Sequence, residues 1–137
     1  MKAILMSIKP QWVEKILNGE KTIEIRKTLP KCDLPIDVYI YCTKDKKYAN
    51  LINRGGFLTG MVVAKFTLNK VEKFYNLDNI MLGMAYLNQK QIHEYMHGKE
   101  CAYAWHIDNL EIFDRPKPLQ PFFDLDRPPQ SWCYIEV

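Results

Sequence analysis

The first 27 residues place the tightest limit on what this chain can fold into. Ala3–Ile8 is too apolar for a strand edge exposed to water, so it predicts a buried strand. Pro10 then suits the first position of a helix, where a missing N–H costs nothing. Trp12, Val13, Ile16 and Leu17 recur at helical spacing, while Glu14, Lys15 and Asn18 point away. Gly19 supplies the left-handed residue that ends the helix, and Thr22–Lys27 alternates as a second strand.

Further along, Val38–Thr43 is a β-rich run. Phe57–Leu68 predicts a long strand, because Leu58, Val62, Ala64, Phe66 and Leu68 share one face. Arg54-Gly55-Gly56 before it reads as a turn. Residues 76–87 suggest a short helix and a loop, and Leu87–His97 a helix stopped by Gly98. Tyr103, Trp105 and Ile107 occupy odd positions but Leu110 and Ile112 even ones, so the phase slips near Asp108-Asn109, as at a bulge or bend. Prolines 116, 118, 121, 128 and 129 hold an extended loop before a last strand, Trp132–Val137. The order β-α-β-β-β-α-β-β, with short strands and little helix, favours an α+β domain over a parallel sheet. The expected architecture is a mixed barrel of about six strands with two or three flanking helices.

With 137 residues, the chain is expected to form one domain, residues 1–137. The longest apolar runs are five residues (Val38–Cys42 and Cys101–Trp105), far short of the ~18 that a membrane span requires. Lys9 and Pro10 interrupt the place where a secretory signal would be apolar. A soluble, cytoplasmic protein with no membrane partner is expected. Cysteines 32, 42, 101 and 133 lack metal-knuckle or redox spacing; Cys42, Cys101 and Cys133 are expected as reduced core residues. The net charge of +3 divides unevenly, +7 over residues 1–73 and −4 over 74–137, and a basic half can present a surface to phosphates.

The candidate chemistry lies around the first helix. On a strand with Ile23 and Ile25 facing the core, Thr22, Glu24 and Arg26 take the other face, and Lys21 in the turn can swing toward them. Two cations and an anion gathered there can bind a phosphate and a base edge, or simply form a surface salt-bridge ladder. Gly19-x-Lys21-x-x-Glu24-x-Arg26, with its helix and strand context, resembles the signature of the ASCH domain, a branch of the PUA-like superfamily. Residues 103–107 (Tyr-Ala-Trp-His-Ile) and 127–134 (Arg-Pro-Pro-Gln-Ser-Trp-Cys-Tyr) are similar to segments of small phage- and prophage-encoded ASCH-like proteins.

The resemblance implies a PUA-like barrel with a Lys-Glu-Arg cleft beside the first helix, binding RNA or modified nucleotides. An enzymatic branch of the family hydrolyses an amide on an acetylated nucleoside, using a lysine and a threonine of this motif and a later glutamate. Lys21 matches the lysine, Glu24 stands where the threonine should be, and around residues 75–90 only Asp78 is acidic.

The leading expectation is therefore a nucleic-acid or nucleotide-binding module, with RNA as the favoured partner. Its ligand-binding residues are Ser7, Lys9, Lys21, Thr22, Glu24 and Arg26, with Trp105 or Trp132 stacking on a base. The alternatives are a nucleoside amidohydrolase with Lys21 and Glu24 as catalytic residues, and a phage accessory protein that binds another protein through loop 115–129. No cofactor is expected. His93-Glu94-Tyr95-Met96-His97 fits a zinc-peptidase pattern, but two histidines are an incomplete site, so no metal is expected there.

Overall fold

A computed structural model describes residues 1–48, 50, 52, 53 and 56–137. Five strands form the larger sheet, in the order β10 (Trp132–Glu136), β1 (Lys2–Ile8), β3 (Ile36–Cys42), β6 (Met61–Leu68), β9 (Asp108–Lys117). The β1–β3 pair is parallel and the other pairs are antiparallel. A smaller sheet has the order β2 (Ile23–Arg26), β8 (Ala102–His106), β7 (Val71–Phe74). Between β3 and β6 lie a short 3-10 turn, Lys46–Tyr48, and a two-residue pairing of β4 (Ile52–Asn53) with β5 (Gly56–Phe57). The helices are α1 (Pro10–Leu17), α2 (Asn79–Ala85) and α3 (Gln89–Met96).

The apolar run of β1 follows from its central place. Ile4, Met6 and Ile8 point into a core shared with Val13 and Ile16 of α1, while Ala3 and Leu5 enter a second core on the opposite face. Leu119 and Phe123 of the proline-rich loop cover that second face. Burial on both sides requires apolar residues at every position, so strict alternation disappears. A third core lies between the small sheet and the helices α2 and α3, around Ile23, Ile25, Leu82 and Ile92.

The barrel expectation needs correction. The chain is mixed α and β, but its sheets are not closed into a barrel: β10 and β9 are edges of one sheet, β2 and β7 of the other. The phase slip marks the physical reason. Trp105 and His106 pair with β2 and β7, whereas Asp108 onward pairs with β6. The chain crosses between sheets at Ile107, and Asn109 takes a left-handed φ of 50° just after the crossing. The long strand expected from Phe57 begins at Met61, and of the expected turn Arg54-Gly55-Gly56 the first two residues lie outside the described residues while Gly56 begins β5. Strand β7 and the short β4–β5 pairing are additions to the expected order, while α2 is the short helix expected within residues 76–87. Of the cysteines, Cys42 is buried, with its thiol pushed up to about 12 by that burial, whereas Cys32, Cys101 and Cys133 are only half-buried. No helix among the described residues is long and apolar enough to cross a membrane.

Candidate functional site

The two sheets meet where the end of β1, the whole of β2, α1, α3 and the segment entering β10 converge. A cavity of about 330 Å³ opens there, lined by Ser7, Lys9, Trp12, Lys21, Glu24, Ile25, Arg26, Thr43, Leu87, Gln91, Tyr95 and Gln130. Its volume lies at the lower end of the range for small-molecule sites, about 300–1,000 Å³. Three cations face one anion in its lining.

Glu24 is the centre of this arrangement. The residue is only 6% exposed: its neighbours Ile23 and Ile25 pack against α2 and α3, and Lys21 and Arg26 close on its carboxylate. Its Oε1 accepts from the Ile25 N–H at 3.2 Å and lies 3.4 Å from the Lys21 ammonium. Its Oε2 accepts from Arg26 Nη2 at 3.1 Å. Burial pushes the Glu24 pKa up, but Lys21, Arg26 and the Ile25 N–H together bring it below the ordinary carboxylate value. An ionised carboxylate has about four acceptor sites, so three donors leave one position, on Oε2, for a further donor.

Lys21 is 2% exposed. Its ammonium donates to the carbonyl of Ala85, an end-of-helix oxygen of α2 that has no partner within the helix. It also lies 5.3 Å from the Trp12 ring centroid. Burial lowers the Lys21 pKa, and Glu24 only partly restores it. Arg26 ties the two sheets together. Its Nη2 donates to the Ser7 carbonyl at 2.7 Å as well as to Glu24, and its Nη1 donates to Ser131 Oγ at 3.1 Å. Ser7 Oγ in turn donates to the Pro129 carbonyl at 2.7 Å, which fixes the pocket's outer wall.

Ser7, Lys9, Lys21, Glu24 and Arg26 are thus brought together, but the division of labour differs from the sequence expectation. Lys21 and Arg26 are occupied in clamping Glu24 and the surrounding backbone, which leaves exposed Lys9 as the cation at the rim. Thr22 turns away: it is exposed, absent from the lining, and spends its backbone groups on Met84 and Ile107. Trp105 is fully buried and donates its indole N–H to the Thr28 carbonyl at 3.0 Å. Trp132 packs edge-on against it, donates to Thr28 Oγ1 and does not line the pocket. Neither ring lines this pocket: buried Trp105 and half-buried Trp132 both hold the β2–β3 connection through Thr28.

The rings that do line the pocket are Trp12 and Tyr95, accompanied by the amides of Gln91 and Gln130. Trp12 packs against the core with Val13 and Ile16, as its helical spacing predicts, and also lines the pocket. Gln91 and Tyr95 stand four apart on α3, a one-face signal that the overlapping histidine pattern obscures. Gln91 Oε1 accepts from the Asn88 N–H in a capping box, which leaves its amide N–H groups as the donors. Asp78 is used in capping α2, accepting from the Met81 N–H at 2.8 Å. His93 and His97 are exposed beside a separate pocket with Lys99 and Glu100. Among the described residues no group of three or more His, Cys, Asp or Glu side chains is placed to hold a metal ion.

A two-sheet α+β domain with a charged pocket between the sheets is the class of protein these features define. The family model of the ASCH domain matches residues 6–111, and the chain belongs to that family. An ASCH domain-containing ribonuclease of Zymomonas mobilis is 27% identical over 139 residues, covering 98% of this chain and 84% of the relative. The crystal structure of ASCH from Zymomonas mobilis superposes with a TM-score of 0.73 at 22% identity, covering 98% of this chain and 87% of that one. A tyrosine-to-phenylalanine mutant of that protein gives 0.71 at 22% identity, over 99% and 91% of the two chains.

Proposed function

We propose that this chain binds RNA and seats one unpaired nucleotide in the pocket between its sheets. The observation that carries this reading is the buried Glu24 carboxylate, which lines the cavity and is pinned by Lys21 and Arg26; by acceptor count its Oε2 keeps one position for a further donor. That position suits an N–H donor on a base edge. Trp12 and Tyr95 offer aromatic surface to the base, Gln91 and Gln130 offer amides to its polar edge, and Lys9 meets the phosphate. The curated relative's description as a ribonuclease supports RNA as the partner.

Bases with an exocyclic amine are favoured over uracil, whose N3–H lies between two carbonyls that a carboxylate repels. Short single-stranded oligomers of C should bind about tenfold tighter than those of U, since a hydrogen bond to a charged group is worth roughly 1.5–3 kcal/mol. Affinity should also fall as salt rises, by about 0.7 log units per log unit of salt for each phosphate neutralised. Fluorescence anisotropy at several salt concentrations measures both. Binding without salt dependence, or equal binding of C and U, contradicts the reading.

A second reading, RNA cleavage, is favoured by the relative's name alone. Within this pocket Glu24 is a weak proton acceptor because its pKa is lowered, and Lys21 is engaged by Ala85 and Glu24. The same engagement argues against the amidohydrolase alternative. RNA or acylated-nucleoside turnover abolished by Lys21→Ala would replace binding with catalysis. For the protein-binding alternative, Leu119 and Phe123 of the loop are turned inward, although Phe122 is exposed.

A further inference from the structure

The pocket shares lining residues with two neighbouring cavities. On one side it shares Trp12, Leu87 and Gln91 with a second cavity of about 460 Å³, which adds Tyr86, Leu82 and Asn88. On the other side it shares Thr43 with a third cavity of about 350 Å³, which adds Lys44 and Arg127. The two outer cavities differ in chemistry. The first is aromatic: Tyr86 is 41% exposed, and Lys15 stands 4.8 Å from its ring centroid. The second is cationic, with Asp126 as the acid in its lining. The Lys44 side chain lies over Gly60, where a Cβ would stand 3.0 Å from Lys44 Cε.

Taking the central pocket as the nucleotide site, we infer that the three cavities form one track for single-stranded RNA, about three nucleotides long. The central base enters the Glu24 pocket. One neighbouring base stacks in the aromatic cavity against Trp12 and Tyr86, and the phosphate on the opposite side meets Lys44 and Arg127. The favoured ligand is therefore a strand rather than a free nucleoside. A duplex is excluded, because its bases are already stacked and paired and cannot splay into separate cavities.

Calorimetric titration of the intact protein with CMP, with the single-stranded trimer CpCpC and with a short RNA duplex tests this. The trimer should bind about 100-fold tighter than CMP, since stacking and phosphate contacts add to the same site. Tyr86 has a left-handed φ of 56°, which asparagine tolerates, so Tyr86→Asn removes the ring without straining the backbone. That variant, and separately Lys44→Ala with Arg127→Ala, should each weaken the trimer on the order of tenfold and leave CMP unchanged. The double variant should also lower the salt slope by about 0.7, the share of the one phosphate those two cations meet. If CMP binds and the trimer binds no better, or if the duplex binds as well as the trimer, the track is wrong and the pocket stands. If CMP itself does not bind, both fall together.

Discussion

Replacing Glu24 with alanine should cost about 3–5 kcal/mol of folding stability, the usual scale for removing one partner of a buried ion pair. The substitution leaves Lys21, which is 2% exposed, and the mostly buried Arg26 without their shared anion. For a domain of this size the midpoint of thermal unfolding should fall by about 10 °C or more. Lys21→Met should cost less, because Glu24 keeps Arg26 and an apolar chain of similar length fills the space against Trp12. The acid limb of the stability profile gives an independent readout. A carboxylate whose folded pKa lies below its unfolded value contributes stability above the unfolded value, and loses it as pH falls through the folded one. With an ordinary value of 4.5, the wild type should lose Glu24's contribution below about pH 4.5. Glu24→Ala lacks that contribution at neutral pH and should show a shallower acid decline. Calorimetry across pH checks both, and an Ala variant as stable as wild type would show that the clamp carries no energy.

The second large effect concerns Arg26. Its guanidinium joins β2 to the Ser7 carbonyl of β1 and to Ser131 at the entry of β10, so it holds the pocket wall as well as Glu24. Arg26→Ala should lower RNA affinity by about 10- to 100-fold, because charge-assisted hydrogen bonds of roughly 1.5–3 kcal/mol fix the carboxylate that the base meets. Arg26→Lys should recover little of this, since one ammonium cannot span three partners that a planar fork reaches together. The positioning role has its own signature. Amide hydrogens at the start of β10 should exchange faster in both variants, whereas a residue that only touched phosphate would leave that exchange unchanged.

Much of the local structure was legible from residue pattern. Pro10 and Gly19 bracket α1, and the alternation of Ile23 and Ile25 marks β2. The slip near Asp108-Asn109 located the crossing between sheets, but alternation cannot tell a bulge within one barrel from a change of sheet. That distinction depends on which strands Trp105 and Asp108 pair with, and pairing is a long-range property. The short β7, Val71–Phe74, was missed because four residues with two apolar ones show no period.

At the site, the Lys21, Glu24 and Arg26 spacing pointed to residues that do line one pocket, yet their burial was not visible in it. A charged residue reads as solvent-facing until its partners are known, and Ala85, Ser7 and Ser131 lie 64, 19 and 105 residues away. The surroundings of the tryptophans were hidden for the complementary reason. Trp105 and Trp132 satisfy their indoles on Thr28, a partner no local pattern indicates, while Trp12 looks apolar in sequence but lines the cavity.

The structure of the protein bound to a short single-stranded RNA is the most direct measurement. A base between Trp12 and Tyr95, with an N–H donor within about 3 Å of Glu24 Oε2, is the expected result. RNA seated on another face, with the pocket between the sheets unchanged, would contradict it.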